Sequence, residues 1–307
     1  MPALLDKLTI IVPVYNDVRY IAETVESCAL QGALTLIYDN ASTDGTSEIC
    51  ANLEKKYPNV RHIRHPENLG AFENFRRSLM DCATEYFCWV GSHDLLGRDY
   101  AAPLVAALEK DKDAIVACGT VQYIDEEGAE MKKTVRACWA SRSKNAAPLR
   151  RVAALVSGMR DCTIFYAVFR TEMMRGIWQE KPFLGFDRAL LTKAAAAGKI
   201  LYEPGPVFYF RDFSATRDGK KDQDRRTREI VHEKEKPLPR DLLQRNMSMV
   251  QTALGLVKTP EDLSLALRIV DKINRRYQSR RYYQRLRLLK IAGVVAIMAI
   301  FAALHFL

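Results

Sequence analysis

The sequence predicts an α/β fold, a mostly parallel sheet flanked by helices, and three observations carry that prediction. Short apolar runs rich in β-branched residues alternate with segments of helical spacing through the first third of the chain. A polar cluster follows each of the first four apolar runs: VYND, DNASTDG, HPENLGA and GSHD. The chain has 307 residues and is 48% hydrophobic, enough to bury a sheet on both faces.

Thr9 to Val14 is a β-branched run with Pro13 near its end and Asn16 and Asp17 beyond it, the pattern of a buried strand emptying into a loop. Residues 18–31 have helical spacing, with Ile21, Val25 and Cys28 on one face and Glu23 and Glu26 away from it. A second strand is expected at Leu34 to Tyr38, then a helix from about Thr46 to Tyr57. A third strand is expected at Val60 to Arg64, a third helix at Gly70 to Ala83 and a fourth strand at Tyr86 to Val90. Asn, Asp, Ser and Gly favour turns on their own account. Four such clusters at successive strand ends predict one shared crevice, because ligands of these sheets bind at the carboxyl ends of the strands.

Further along, Ala114 to Tyr123 reads as a strand, followed by a DEEG turn, a basic stretch around residues 136–151 and a helix. Thr163 to Phe169 is strand-like, Phe186 to Ala197 is helical with Gly198 as its C-cap, and Ile200 to Tyr202 and Val207 to Phe210 read as two short strands. Residues 211–245 are densely charged, residues 247–285 resume helical spacing with a break at Thr259–Pro260, and residues 291–307 are apolar except for His305.

The formal charge is +9, yet eight basic residues and no acid lie between Lys272 and Lys290, which leaves the rest of the chain near +1. Charge concentrated in one tail points to a surface that the tail meets and away from nucleic acid as the partner. The seven cysteines are odd in number and never spaced as CxxC, so reduced thiols are expected instead of a zinc site or a disulfide framework. The N-terminus lacks the pattern of a signal peptide and runs directly into a strand.

TIIVPVYN, IYDNASTDGT, NLGAFENF and FCWVGSHDLL, in this order and spacing, resemble the nucleotide-binding half of family 2 glycosyltransferases with the GT-A, Rossmann-like fold. The resemblance covers roughly residues 8–215. It implies an inverting enzyme that takes a sugar from a nucleotide-sugar donor, expected to be UDP-linked, with Mn²⁺ or Mg²⁺ as cofactor. It divides the chain into a catalytic domain at residues 1–215, with a nucleotide-sugar half at about 1–115 and an acceptor half at about 116–215. A charged loop or lid at 216–245 follows, then a helical, basic, membrane-proximal region at 246–290 and a transmembrane or membrane-inserted helix at 291–307.

The resemblance also assigns residues. Asp39 would accept from the base's ring N–H; a turn-forming or helix-capping aspartate would look the same. Pro13, Tyr15 and Asn16 would wall the base pocket, while Ser42, Asp44 and Gly45 shape the turn. Asn68 and Gly70 are read either as nucleotide contacts or as tight-turn residues. In Ser92-His93-Asp94, where such enzymes carry a DxD-type motif, Asp94 is the candidate metal ligand, since Mg²⁺ and Mn²⁺ favour carboxylate and phosphate oxygens. Gly91, Ser92 and His93 depart from the pattern, because acids are common at those positions. His93 is read as a ribose or metal contact, or as cleft lining.

Inverting transfer needs a base for the acceptor hydroxyl. FLGFDRALLTKAAAAGKILYEPGPVFYFR matches the outline of the family's acceptor-side segment and makes Asp187 the candidate, with an N-capping aspartate as the structural alternative. Arg211 and Asp212 fall where related enzymes place a basic residue or a second ligand, and residues 217–228 read as a closing lid or as a solvated loop. Phe165, Tyr166 and Phe169 read as core, with Tyr166 a candidate for the acceptor site.

The expected acceptor is a saccharide or a lipid-linked saccharide in cell-surface polysaccharide synthesis. A processive synthase is disfavoured because QxxRW and multiple membrane segments are missing from this sequence. A catalytically silent GT-A domain acting as a membrane scaffold is the alternative from another class. An apolar helix of residues 291–307 would be about 25 Å long, just short of a hydrocarbon core of about 30 Å. Basic residues on its N-terminal flank place the catalytic domain on the cytoplasmic side of the cytoplasmic membrane. Deleting residues 291–307 is expected to move the protein into the soluble fraction; a truncated chain still wholly sedimenting with membranes would contradict the anchor.

Overall fold

The computed structural model describes residues 2–143, 145–178, 182–183, 185–213 and 239–277. Residues 216–238 of the expected lid and the expected membrane helix at 291–307 lie outside these residues. Among the described residues no helix is long and apolar enough to cross a membrane.

After a short helix α1 (Pro2–Leu5), the first half of the chain alternates strands and helices: β1 (Leu8–Val14), α2 (Ile21–Ala29), β2 (Leu34–Asp39), α3 (Thr46–Lys56), β3 (Val60–Arg64), α4 (Ala71–Met80) and β4 (Tyr86–Trp89). A two-residue strand β5 (Leu95–Leu96) and helix α5 (Ala101–Lys110) lead into β6 (Ala114–Ile124), β7 (Glu130–Val135), α6 (Cys138–Ser143) and α7 (Pro148–Gly158). Then come a 3₁₀ turn (Thr163–Tyr166), β8 (Val168–Arg170), α8 (Thr171–Ile177), α9 (Phe186–Ala197), β9 (Lys199–Arg211), α10 (Pro239–Leu254) and α11 (Pro260–Tyr277).

The strands form one nine-stranded sheet in the order β3-β2-β1-β4-β8-β6-β9-β5, with β7 paired on β6. The expectation of a mostly parallel sheet describes β3-β2-β1-β4, whose pairings are all parallel. Beyond β4 the sheet is mixed: β8 inserts antiparallel between β4 and β6, and β5 and β7 also run against their neighbours. Strand β9 is parallel to β6, so β1, β2, β3, β4, β6 and β9 all end at the same edge.

Strand side chains alternate between two apolar layers. Ile10, Val12, Cys88 and Val90 pack with α2 and α5 on one face, and Ile11, Phe87 and Trp89 with α4, α7 and α9 on the other. Helices α10 and α11 belong to this second layer, where Met249, Ala253, Ala266, Ile269 and Ile273 are buried. The helical region expected from 246 thus starts at Pro239 and is built onto the catalytic body. At the far end of the sheet β3 is the outermost strand, with Arg61, Ile63 and Arg64 exposed.

Two expectations fail locally. Thr163 to Tyr166 is a 3₁₀ turn because Asp161 Oδ1 accepts from the Thr163 amide (3.2 Å) and hydroxyl (2.7 Å), curling the chain before the strand begins. The two short strands expected near 200–210 are one element, β9, with the EPGP segment bulged between Tyr202 and Val207. Gly119 on β6 faces that bulge, where a Cβ would lie 2.3 Å from the Pro206 carbonyl oxygen. Gly119→Ala is therefore expected to cost about 1–3 kcal/mol in chemical denaturation; an unchanged midpoint would show that the bulge yields freely.

Candidate active site

The carboxyl edge of β1 and β2 is braced by its own polar clusters. The Asn16 amide donates to Ser42 Oγ (3.0 Å), and Asn16 Oδ1 accepts from the Thr43 amide (2.8 Å). The Asp17 amide donates to Thr46 Oγ1 (2.9 Å), and the Val18 amide to Asp44 Oδ2 (3.2 Å). Asn16 and Ala41 both have left-handed φ, 51° and 62°, a conformation that side chains with a Cβ adopt only where the surroundings impose it. Pro13 is half-buried in β1, and the Tyr15 ring is 41% exposed at the mouth, so it can offer a face to a planar base.

Asp39 ends β2 fully buried. Its Oδ1 accepts from the Ser42 amide (2.9 Å), and its Oδ2 from the Ser47 hydroxyl, with His62 Nε2 at 3.4 Å and Arg64 Nε at 3.6 Å. Burial alone would raise its pKa, but the hydrogen bonds from His62, Ser42 and Ser47 outweigh burial and hold the carboxyl well below the usual range. Next to it, Asn40 Nδ2 donates to Asn68 Oδ1 (2.8 Å), which also accepts from the Gly70 amide (2.8 Å). Asn68 and Gly70 thus lie in a tight turn, with Gly70 at a φ of 79°.

The SHD triplet is held from two sides. Asp17 Oδ2 accepts from Ser92 Oγ (2.5 Å) and lies 3.1 Å from His93 Nδ1, and the imidazole packs edge-on against Phe213. Asp94 is fully buried, and its Oδ1 accepts from the Arg211 amide at the end of β9 (2.8 Å). Among the described residues its Oδ2 has no hydrogen-bond partner. Burial pushes this carboxyl up to about 6, against the downward pull of His93 and of Arg211. Gly91 explains part of the departure from the DxD pattern: a Cβ there would lie 2.5 Å from Asp94 Oδ2.

Arg211 is itself buried. Its Nε donates to the His93 carbonyl (2.8 Å), its Nη1 to the carbonyls of Asp125 (3.1 Å) and Glu126 (2.7 Å), and its Nη2 to Glu23 Oε1 (2.5 Å). The guanidinium also lies over the Tyr20 ring, 4.6 Å from its centroid. All of the guanidinium nitrogens of Arg211 are thus engaged within the protein, linking the loops of the site.

In the half expected to hold the acceptor, the Tyr123 hydroxyl donates to Asp161 Oδ2 (2.9 Å), and Lys133 Nζ sits 3.4 Å from the centroid of that ring and 3.5 Å from Asp212 Oδ2. Asp212 accordingly faces a lysine. Asp187 lies in the first turn of α9, where its Oδ1 accepts from the Arg188 amide (2.8 Å) and the Cys162 thiol meets its carboxylate. Helix α9 precedes β9, so its N-terminus reaches the carboxyl edge. Tyr166 is packed flat on Phe208, with its hydroxyl close to Gly91.

Asp17, Tyr123, Lys133 and Asp161 join the site without having been singled out from sequence. Asp17 lay in the VYND cluster and Asp161 before a threonine with capping spacing; Lys133 gave no signal. Among the described residues no group of three or more His, Cys, Asp or Glu side chains converges to hold a metal. A divalent cation that takes most of its ligands from phosphate and water needs as little as one carboxylate oxygen, and the partnerless Asp94 Oδ2 fits that need.

A parallel half-sheet with braced polar loops at its carboxyl edge, continued by a mixed half that brings in a helix-borne carboxylate, defines a GT-A-type domain. The chain belongs to glycosyl transferase family 2: residues 9–178, more than half of it, match the sequence model of that family. It is similar to the abequosyltransferase RfbV of Salmonella typhimurium, 35% identical over 109 residues, 33% of this chain and 32% of that protein. It is also similar to the glycosyltransferase GlyG of Streptococcus pneumoniae, 29% identical over 123 residues, 39% of this chain and 40% of the relative. The chain thus spans less than half the length of these curated relatives. Among solved structures, S. aureus TarS in complex with UDP-GlcNAc superposes with a TM-score of 0.60 at 17% identity, covering 87% of this chain and 72% of that one. The mannosyltransferase PcManGT of Pyrobaculum calidifontis, in complex with GDP-Man and Mn²⁺, gives 0.51 at 17% identity, covering 95% of this chain and 80% of that one. Both likenesses establish the fold.

The raised pKa of Asp94 sets a sign for stability. The folded chain holds this proton more tightly than the unfolded chain, so the stability is fully present below about pH 4 and falls as pH rises through about 6. The loss is on the order of 2–3 kcal/mol. Asp94→Asn is expected to melt roughly 5 °C higher than the parent at pH 8 in chelator, and at the parent's temperature at pH 4. Equal melting temperatures at both pH values would remove the buried-charge account.

Proposed function

We propose that this chain is an inverting glycosyltransferase that moves one sugar from a nucleotide diphosphate donor, UDP-linked, to a saccharide or lipid-linked acceptor in cell-surface polysaccharide synthesis. The observation that carries the reading is Asp94: a buried carboxylate at the carboxyl edge of the sheet, with one oxygen that has no partner among the described residues. The nucleotide complexes of TarS and PcManGT support a nucleotide-sugar as ligand, and the Mn²⁺ of the second supports a cation.

In this reading Tyr15 stacks on the base, with Pro13 and Asn16 completing the wall. Asp39 already has protein partners for both oxygens, so it receives the base's N–H on a remaining lone pair and mainly fixes the loop around it. Asn68 and Gly70 shape the adjoining turn, and His93 contacts the donor. Asp94 would hold Mn²⁺ or Mg²⁺ through Oδ2, and such a cation, when bound, neutralises the leaving diphosphate. Asp187 takes the proton of the acceptor hydroxyl as that oxygen bonds the anomeric carbon from the face opposite the diphosphate, whose bond to the sugar breaks. The basic residues from Lys272 onward and the apolar run at 291–307 hold the enzyme at the cytoplasmic face of the membrane, where a lipid-linked acceptor would be confined.

A silent GT-A scaffold is the second reading, favoured by the single acid within residues 91–94. Titration calorimetry with a panel of nucleotide-sugars, with and without Mn²⁺, separates the two: metal-dependent binding of one nucleotide family supports transfer, and no binding supports the scaffold. Asp187→Asn is expected to lower transfer by about 10²–10⁴-fold with donor affinity unchanged. A variant that transfers at the parent's rate would rule out this base.

A further inference from the structure

The candidate base has a neighbour contributed by a segment outside the family match. Gly185 caps α9 with a φ of 80°, and its carbonyl accepts from the Arg188 amide (3.1 Å), forming the turn that contains Asp187. Against its Cα lies Arg245 of α10: a Cβ at Gly185 would be 2.6 Å from Arg245 Cδ and 3.3 Å from its Nη1. Arg245 is buried, and its Nε and Nη2 both donate to Asn246 Oδ1 (3.2 and 3.1 Å), itself buried. Behind this contact α10 seats Met249 and Ala253 in the same core layer as Leu190 and Ala194 of α9.

We infer that Arg245 is a positioning residue for Asp187: its guanidinium, fixed by Asn246 and pressed on Gly185, sets the orientation of the first turn of α9 and so the direction in which the carboxylate meets the acceptor hydroxyl. The inference rests on the transfer reading and extends it to the C-terminal helices. Arg245 is a charged side chain buried beside the turn that carries Asp187. A left-handed glycine facing that cation is the arrangement expected if the turn and the arginine are held in register.

The test uses the full chain with Arg245→Met, Arg245→Lys and Gly185→Ala, each checked for folding by circular dichroism and melting. Two readouts are taken: nucleotide release from the donor selected by calorimetry, as kcat and KM, and hydrogen exchange of the Arg188 and Ala189 amides. Arg245→Met and Gly185→Ala are expected to lower kcat tenfold or more with donor KM and Kd within twofold, and to speed exchange in that turn while the β1 amides keep the parent's rates. Arg245→Lys, which keeps the charge without the fork, is expected to recover part of kcat. Unchanged exchange, a kcat within twofold of the parent, or donor affinity falling in step with kcat overturns the inference. A parent without any turnover overturns the transfer reading instead, and Gly185→Ala and Arg245→Lys decide the matter should Arg245→Met not fold.

Discussion

The site is organised around one buried guanidinium. Arg211 ends β9, yet its donors reach the SHD loop after β4, the turn after β6 and Glu23 on α2, and its own amide closes Asp94. Removing one partner from a buried charge of this kind costs about 3–5 kcal/mol. That magnitude exceeds what the surrounding loop hydrogen bonds contribute singly, about 0.5–1.5 kcal/mol each. The loops therefore take their positions from Arg211, and Asp94 is buried and one-sided because Arg211 occupies its other oxygen.

The parallel half was legible because its information is local. β-branched runs, helical spacing and turn-forming clusters lie within a few residues of each other, and β3 emerged with the expected ends, Val60 and Arg64. The mixed half was less so. Whether β8 pairs antiparallel between β4 and β6 depends on contacts across some 50 to 80 residues, and Thr163 to Tyr166 had strand composition overridden by a single capping aspartate. The buried role of Arg211 could not be read either, since an arginine beside a charged segment carries the same signal whether it faces solvent or core.

The candidate residues show the same division. Asp94 and Asp187 stand at strand and helix ends that local pattern could find. Asp17, Tyr123 and Asp161 act through partners 76, 38 and 38 positions away, and nothing in a linear reading pairs them. The binding loops also carry their constraint in backbone form: Asn16 and Ala41 hold left-handed conformations that the crossed hydrogen bonds between the two loops impose. Such loops are formed before any ligand arrives, which lowers the ordering cost of binding.

The outermost strand has a consequence for how copies of this chain behave together. A bare sheet edge presents unpaired amides and carbonyls that can template a strand from another molecule. On β3 the apolar Ile63 is exposed between His62 and Arg64, with Arg61 exposed as well. Like charges on approaching edges repel, so colloidal behaviour at this end of the molecule is governed by ionic strength. At about 0.1 M salt the repulsion reaches only about 10 Å, and dilute buffers preserve the protection that Arg61 and Arg64 give the edge.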